Sequence, residues 1–450
     1  MTRADVPAPG GVQAFRGTLL HFPREAAHGA YEAAAEYVDD GMLLVRDGRI
    51  EGCGAAADIA PTLGPGVRIV DLRGRWLVPG FIDTHVHSAQ LDVIASSGEQ
   101  LLNWLERYTF PAERRFADPG HAQEASEFFL RELLRNGTTT AVVFPTVHKA
   151  SVEALFEAAR RRRMRLVAGK ILMDRNCPDF LRDTPADGDH DSRDLIERWH
   201  EHDRLHYAVT PRFAPTSSHE QMTLAGRLLD DYPRLYVQSH VAENRDEVRW
   251  AAQLFPWARS YLDVYDHYGL LRPRAVYAHC IHLDPADRDR FAASGAAMAF
   301  CPTSNLFLGS GLFDRDASRR AGAHVTFGSD VAGGTSFSLL RTMHEGYKVL
   351  QLAGQTMSAA EALYYATRGA ARALLLDDRI GSFSPGCEAD FVVLDPASTP
   401  LLARRWALAA SWVERLFALM ILGDDRAVAQ TYILGERAHD RDASAPDGGP

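Results

Sequence analysis

The chain has 450 residues, of which 46% are hydrophobic and 24% are charged, and this composition excludes a largely disordered protein. Its 49 Lys and Arg residues against 59 Asp and Glu residues give a formal net charge of −10, which disfavours binding to a nucleic-acid backbone as the main function. Five cysteines without a C-x-x-C pair exclude a disulfide framework and a thiolate zinc finger. The 18 histidines are more informative, because imidazole is both a common metal ligand and a proton carrier near neutral pH.

Short β-strands are predicted near both ends of the chain. Residues 41–45 and 67–71 are apolar or alternating runs, and Asp47-Gly48 is a strong hairpin-turn signal. Residues 386–394 and 428–435 show the same combination of strand and turn near the other end. Neither piece is large enough to bury a core alone, so we expect the two ends to pair.

The middle of the chain alternates short apolar strands with longer helical patterns, such as 221–231 and 285–294. Eight strands with a crossover after each predict an α/β protein built on a (β/α)8 TIM-type barrel. The predicted strands cover residues 77–87, 138–144, 166–173, 206–210, 235–240, 275–279, 297–301 and 325–328. The alternative is an open doubly wound sheet, but no G-x-G-x-x-G motif follows the first strand to support dinucleotide binding.

These patterns predict three parts of the chain. Residues 1–75 and 380–440 form a small composite β-sandwich domain, residues 76–379 form the barrel, and residues 441–450 form a disordered tail. The N-terminal sequence has no apolar run behind a basic start, so we expect no signal peptide. No apolar stretch approaches the roughly 18 residues of a membrane span, and we expect a cytoplasmic protein.

An H-x-H motif ends the first predicted barrel strand. Because strand residues alternate sides, His85 and His87 point to the same face and can bind one divalent metal. The carboxyl ends of barrel strands are where such enzymes place their chemistry. A bare H-x-H is more often a structural pair, but the preceding Pro-Gly-Phe-Ile-Asp favours a metal site here.

Further candidate groups follow three other predicted strands. His240 follows the fifth strand and would add a third nitrogen ligand, with Glu243 close enough to reach a metal-bound water. His279 ends the sixth strand, and Asp330 follows the eighth. A lone aspartate after a strand is usually a helix N-cap, but the glycines beyond this one allow the backbone to approach a ligand. Three histidines with one aspartate suit zinc or ferrous iron.

At this point the chain resembles the metal-dependent amidohydrolases, and within them the guanine deaminases. The H-x-H, H-x-x-E and S-D pieces are shared across the superfamily, whereas the second and third segments below are much more specific to guanine deaminases. The segments that carry the resemblance are PGFIDTHVHSAQ (79–90), LNWLERYTFPAE (102–113), TPRF (210–213), CPTSN (301–305), GSDVAGG (328–334) and LGDDR (422–426). The resemblance covers nearly the whole chain, including the split β domain.

The resemblance implies a role for each matching residue. It implies that one zinc per chain, with ferrous iron as the alternative, is held by His85, His87, His240 and Asp330. It implies that Glu243 moves protons, while His279 and Asp330 steady the attacking oxygen. It also implies that the purine is bound by Gln90, Arg212 and Phe213, together with His240, Glu243 and His279.

The side-chain chemistry agrees with these purine-binding roles, although two simpler explanations stay open. Arg212 offers a planar fork of donors, Phe213 an apolar face, and Gln90 a donor and an acceptor. Arg212 could instead be a structural ion-pair residue, and Phe213 could be part of the core.

The implied reaction is hydrolysis of guanine to xanthine and ammonia by a zinc-bound hydroxide, within purine catabolism or salvage. The implied assembly is a homodimer, with a small-molecule substrate and neither nucleic acid nor membrane as partner. The alternatives are a deaminase or chlorohydrolase acting on another purine, a pterin or an s-triazine, and a non-catalytic scaffold. Lys170 lies on the third strand, so we expect a structural residue there rather than a ligand bridging two metals, and we expect the same of His282.

Overall fold

The strands form two separate sheets in the computed structural model of the chain, which describes residues 11–27, 29–98 and 100–443. The strands of the first sheet are β1 (Val12–His21), β2 (Glu36–Arg46), β3 (Arg49–Ala55), β4 (Arg68–Pro79), β14 (Phe391–Leu394), β15 (Val428–Ile433) and β16 (Glu436–Asp440). The strands of the second are β5 (Phe81–His87), β6 (Thr138–Phe144), β7 (Arg165–Ala168), β8 (Ile171–Leu172), β9 (Leu205–Pro211), β10 (Tyr236–Val241), β11 (Ala275–His279), β12 (Ala297–Phe300) and β13 (His324–Phe327).

The described residues form eighteen α-helices, most of which lie between or after the barrel strands in the chain. The first nine are α1 (Tyr31–Ala34), α2 (Ala56–Ile59), α3 (Leu101–Trp104), α4 (Phe110–Arg114), α5 (Pro119–Arg135), α6 (Lys149–Arg161), α7 (Pro185–Trp199), α8 (His219–Asp231) and α9 (Arg245–Leu254). The others are α10 (Tyr261–His267), α11 (Pro285–Ser294), α12 (Pro302–Phe307), α13 (Arg315–Ala321), α14 (Leu339–Leu352), α15 (Ala359–Ala366), α16 (Arg368–Ala373), α17 (Pro400–Ala407) and α18 (Trp412–Leu422). A π-helical turn, Leu105–Thr109, joins α3 to α4.

The second sheet is the predicted barrel. Its main path runs β5-β6-β7-β9-β10-β11-β12-β13 in chain order, and every pairing along it is parallel. The two ends of the path meet, because Thr84 Oγ1 donates to the carbonyl of Phe327 at 2.9 Å and Asp330 N donates to that of His85 at 2.9 Å. The open-sheet alternative is therefore wrong.

Two predicted strands are divided in the structure, and a glycine marks each division. Residues 77–87 form the end of β4 and the whole of β5, with Gly80 between them. A Cβ atom at Gly80 would lie 2.1 Å from Thr139 Oγ1, so only glycine fits this close approach. Residues 166–173 are divided into β7 and β8 at Gly169, where a Cβ atom would lie 1.8 Å from the carbonyl oxygen of Ala208.

The first sheet joins strands from both ends of the chain, in the order β16-β15-β14-β4-β1-β2-β3. The predicted hairpin at Asp47-Gly48 connects β2 to β3. The sheet folds over on itself, because the ring of Phe15 on β1 lies 4.9 Å from Phe391 and 5.1 Å from Tyr432, ring centroid to ring centroid. In a flat sheet those strands would lie roughly 10 and 14 Å from β1. The two arms thus face each other across an apolar core, as in a sandwich.

Buried ion pairs connect the folded sheet to the barrel. Arg165 at the start of β7 donates to Glu388 at 2.6 Å, and Arg204 lies 2.7 Å from the same carboxylate. Arg204 also donates to Asp390, whose other oxygen accepts from Leu434 N at 2.9 Å. These bonds tie the amino-terminal ends of the barrel strands to the segment before β14.

The predicted tail begins at residue 441, but the backbone of Arg441 still donates to Ala429 at 2.9 Å. Residues 444–450 lie outside the described part of the chain. Among the helices of the described residues, none has the length and apolar character needed to cross a membrane.

Candidate metal centre and purine pocket

The candidate ligands come from four different strand ends and meet at one mouth of the barrel. His85 and His87 lie on β5, His240 on β10 and His279 at the end of β11, whereas Asp330 follows β13. His279 and Asp330 have positive φ angles of 72° and 50°, which non-glycine residues rarely adopt. Such backbone strain is typical of functional sites. It changes the direction of these two side chains at the point where each strand ends.

The nitrogen and oxygen atoms of the site lie at short distances from one another. Asp330 Oδ1 lies 3.1 Å from His85 Nε2 and 3.2 Å from His87 Nε2. His240 Nε2 lies 3.2 Å from His87 Nε2. Two ligands that each bind one metal at about 2.1 Å with tetrahedral angles lie about 3.4 Å apart. The observed spacings therefore fit donors that share a metal ion.

Hydrogen bonds to the other ring nitrogens fix two of the imidazoles. His240 Nδ1 donates to the carbonyl of Arg212 at 2.6 Å, and His279 Nδ1 donates to Asn305 Oδ1 at 2.9 Å. Each bond keeps the proton on Nδ1 and leaves the Nε2 lone pair directed at the centre, as metal-binding histidines require. His85 Nε2 is buried without a hydrogen-bond partner, which an ion at this position would remedy.

The geometry brings together one residue more than the expected ligand set. His85, His240, His279 and Asp330 offer ligand atoms that all lie within 4.8 Å of one another. His87 contacts this group through His240 and Asp330, and its Nδ1 lies 3.0 Å from Gln90 Nε2. The sequence placed His279 at the reacting centre rather than on the metal, and the structure places its Nε2 at 3.7 Å from Asp330 Oδ2.

Glu243 lies beside this cluster without belonging to it. Its Oε2 lies 3.4 Å from His279 Nε2, and its Oε1 accepts from Ser310 Oγ at 3.0 Å. Burial raises the pKa of Glu243 to about 7. A carboxyl group of this pKa can both take and release a proton near neutral pH.

The surroundings of Asp330, unlike those of Glu243, favour the ionised carboxylate. Burial opposes its ionisation, but the neighbouring His85 and His87 rings outweigh burial and hold the pKa of Asp330 well below its ordinary value. An ionised aspartate suits a metal ligand, whereas the raised pKa of Glu243 suits a proton carrier.

One pocket opens above these groups, with a volume of about 430 Å³ including space open to solvent. Gln90, Arg212 and Phe213 line it together with His87, His240, Glu243, His279 and Asp330. Leu101, Trp104, Leu105 and Leu308 supply most of its apolar wall. The structure therefore places the expected purine-binding residues around the same space as the expected ligands.

Arg212 is also a structural ion-pair residue, because its guanidinium pairs with buried Glu113. Phe213 is buried among pocket residues and contacts Trp250 at a ring-centroid distance of 5.9 Å. An ion-pair role for Arg212 and a core role for Phe213 are therefore compatible with the expected purine-binding roles.

Several groups that support the site were not predicted from the sequence, among them Asp83, Glu113, Asn305 and Ser310. Their supporting contacts join residues that are far apart in the sequence, such as the hydrogen bond from Ser310 to Glu243, so no local pattern identified them. Lys170 forms a buried ion pair with Asp183, and His282 Nε2 lies 3.0 Å from the carbonyl oxygen of Ser310.

A second group of possible ligands, His21, Glu36 and Cys53, lies in the β domain. His21 Nδ1 accepts from the backbone N–H of Phe383 at 3.1 Å, so the ring proton of the neutral form is on Nε2. That proton faces Cys53 Sγ and Glu36 Oε2, each 3.7 Å from Nε2, so Nε2 has no lone pair free for a metal in this tautomer.

Comparison with known proteins adds independent information. Residues 76–438 match the model of the Amidohydrolase family. The chain is 48% identical to guanine deaminase of Escherichia coli over 96% of this chain and 98% of that protein, and the solved structure of that enzyme superposes with a TM-score of 0.94. It is 40% identical to a probable guanine deaminase of Deinococcus radiodurans over 96% of this chain and 99% of that protein.

A solved guanine deaminase from C. acetobutylicum, with guanine bound in its active site, is 29% identical and has a TM-score of 0.85 over 95% of this chain and all of that one. These matches span both the barrel and the sheet built from the chain ends. The chain belongs to the guanine deaminases of the amidohydrolase family.

Proposed function

We propose that the chain hydrolyses guanine to xanthine and ammonia in the pocket at the barrel mouth. The observation that carries this function is the meeting of a His/Asp donor cluster, a buried carboxyl group with a pKa near 7, and an arginine beside a phenylalanine in one pocket. The C. acetobutylicum relative, which holds guanine in its active site, supports the choice of substrate.

We propose that His85, His87, His240 and Asp330 hold one zinc ion per chain, with ferrous iron as the alternative. Imidazole nitrogens and a carboxylate oxygen suit both ions. When bound, such an ion lowers the pKa of a coordinated water toward about 7 and so supplies a nucleophile at neutral pH.

The pocket residues bind and orient the purine. Arg212 donates to the carbonyl oxygen of guanine, and Gln90 pairs with the edge of the base. Phe213 provides an apolar face against the ring. Together they hold C2, which bears the leaving amino group, toward Glu243 and His279.

Glu243 moves the protons of the reaction. It takes a proton from the attacking water and passes it to the ring nitrogen beside C2, as the water oxygen bonds to C2 and makes that carbon tetrahedral. Glu243 then takes the remaining proton of that oxygen and passes it to the amino group, so that the C2–N bond breaks, the C2 carbonyl forms and ammonia leaves. His279 and Asp330 steady the attacking oxygen through these steps.

A chelator tests the metal requirement. We expect the purified protein to release ammonia from guanine, to lose this activity when its metal is removed, and to recover it when zinc is restored. Metal analysis should give one equivalent per chain. Two equivalents would overturn the mononuclear assignment, and undiminished activity of the metal-free protein would overturn the role of the metal.

A substrate panel tests the choice of guanine. Other purines, pterins and s-triazines are the nearest alternatives, because the ligand set alone does not distinguish them. We expect ammonia release to be fastest with guanine. No activity on guanine alongside activity on one of the others would overturn the proposed substrate.

We also propose that the chain acts as a cytoplasmic homodimer. Two exposed leucines on and just after α17, Leu401 and Leu408, are 63% and 71% exposed and lie seven residues apart on one helical face, which offers an apolar surface. All five cysteines are free, as expected in a reducing compartment. Light scattering of the purified protein tests the dimer, and a monomer at all concentrations would contradict it.

A further inference from the structure

Glu113 contacts two of the purine-binding residues at once. It lies on α4 and is 0% exposed. Its carboxylate accepts two hydrogen bonds from Arg212 Nη1, at 2.9 Å and 2.8 Å. Its Oε1 also accepts from Gln90 Nε2 at 3.2 Å. Glu113 itself does not line the pocket, so it reaches a ligand only through these neighbours.

Two contacts fix the orientation of the Arg212 guanidinium. Glu113 binds it edge-on, while the ring of Phe110, one helical turn earlier on α4, lies under its face at 5.2 Å. A guanidinium has five N–H donors in one plane, so donors remain for a ligand once Nη1 is paired. The α4 segment therefore determines the direction in which those donors point.

Burying a carboxylate costs free energy unless it is paired. Among the described residues, Glu113 is paired with Arg212 and Gln90, which both line the pocket. A carboxylate also accepts hydrogen bonds and donates none. It therefore holds N–H groups of Arg212 and Gln90 toward itself, and the donors left for a ligand are the remaining N–H groups of Arg212. A ligand edge with an acceptor, such as a carbonyl oxygen, matches these donors, whereas an amino group at the same position faces them with further donors.

We infer that Glu113 is the positioning residue that makes the pocket prefer a purine with a 6-carbonyl oxygen over one with a 6-amino group. The inference rests on the proposed function, because it takes deamination at C2 as given. It assigns a role to the LNWLERYTFPAE segment, whose Glu113 and Phe110 both hold Arg212.

The test compares guanine with 2,6-diaminopurine, which carries the same 2-amino leaving group but an amino group at position 6. For Glu113→Gln, we expect kcat/KM for guanine to fall by about tenfold or more, the size of one lost charge-assisted hydrogen bond. We expect most of this loss in KM and little change for 2,6-diaminopurine, so that the preference for guanine shrinks. Metal content should stay at the wild-type value.

Glu361→Gln is the matched control. Glu361 is another buried carboxylate that pairs with arginine side chains, Arg315 and Arg319, but it does not line the pocket or contact Arg212. We expect it to lower the melting temperature without changing the ratio of the two substrates. If Glu113→Gln does not fold, Glu113→Asp, which keeps the charge on a shorter side chain, provides the same comparison.

The outcomes separate the inference from the proposed function. Equal losses on both substrates, or a fall in kcat with no change in the substrate ratio, would show that Glu113 is merely structural and would overturn the inference. A wild-type protein that does not act on guanine would instead overturn the proposed function, whatever the variant does.

Discussion

At the scale of single residues, the environment gives two carboxyl groups of one pocket opposite properties. Burial raises the pKa of Glu243 to about 7 although the nearby His279 works in the opposite direction, whereas the imidazoles around Asp330 outweigh burial and hold its pKa well below the ordinary range. The same side-chain chemistry therefore suits the proposed proton transfer at one position and the proposed ion binding at the other.

Glu243→Gln separates these two roles. The amide keeps the size of the side chain but cannot carry the proton, so we expect turnover of guanine to fall by about 10²- to 10⁴-fold, the typical contribution of a positioned acid–base group. Metal content per chain should not change, since Glu243 is outside the ligand set. Ser310→Ala, which removes only the hydrogen bond to Oε1, should cost much less. Full activity of Glu243→Gln would refute the proton-transfer role.

At the scale of secondary-structure elements, Asp83 joins the first and last barrel strands beneath the metal centre. Its Oδ1 accepts from Ser329 N at 3.0 Å and from His85 N at 3.2 Å, and its Oδ2 accepts from the Ser329 hydroxyl. Asp330 directly follows Ser329, so Asp83 fixes the loop that carries Asp330 against β5, which carries His85 and His87.

Asp83→Ala is therefore expected to loosen the ligand geometry without removing a ligand. Changes to groups that orient metal ligands typically cost about 10- to 100-fold in metal affinity, and we expect a loss of that size. Titration of the metal-free protein with zinc in competition with a chelator measures it. Asp92→Asn, which changes an exposed aspartate paired with Arg115, is the control and should bind the metal as the wild type does. Unchanged affinity in Asp83→Ala would contradict this positioning role.

At the scale of the whole molecule, the β domain and the barrel are joined through buried charges. Burial works against ionisation of Glu388, but Arg204 and Arg165 outweigh it and lower its pKa. A carboxyl group whose pKa is lower in the folded state stabilises the fold above its unfolded pKa of about 4.3, and this stabilisation is lost as the pH falls through the folded value.

Glu388→Gln should destabilise the protein by about 3 kcal/mol at pH 7, because it leaves two buried arginines without a full counter-charge. The difference from the wild type should shrink as the pH falls below about 4, where the wild-type carboxylate also becomes protonated. Urea unfolding at several pH values measures this. Asp40→Asn, in an exposed pair with Arg16, should change stability little at any pH. A pH-independent difference for Glu388→Gln would show that its charge is not the cause.

Local patterns were sufficient to locate the barrel strands, apart from the breaks at Gly80 and Gly169, and the histidines at their ends. His85 and His87 alternate with Thr84 and Val86 on a strand that is buried throughout. The helix α11 begins and ends where the sequence predicts it, after an Asp284 cap and before Gly295. These features depend on neighbouring residues along the chain, so a single sequence contains the information for them.

Local patterns could not predict which residues those side chains contact. Glu113 and Arg212 are 99 residues apart in the chain, and Asp83 and Ser329 are 246 residues apart. No periodicity relates such pairs, because their contact exists only once the barrel has closed.

The sequence by itself therefore determined the alternation of strands and helices, the family, and which histidines and carboxylates stand at strand ends. Only the tertiary structure decided that His279 lies as close to the centre as the expected ligands, that Glu243 is buried enough to have a pKa of about 7, and that Glu113 holds Arg212. The physical reason is that backbone periodicity follows from neighbouring residues, whereas burial, electrostatics and hydrogen-bond partners depend on distances between strands that only the closed barrel fixes.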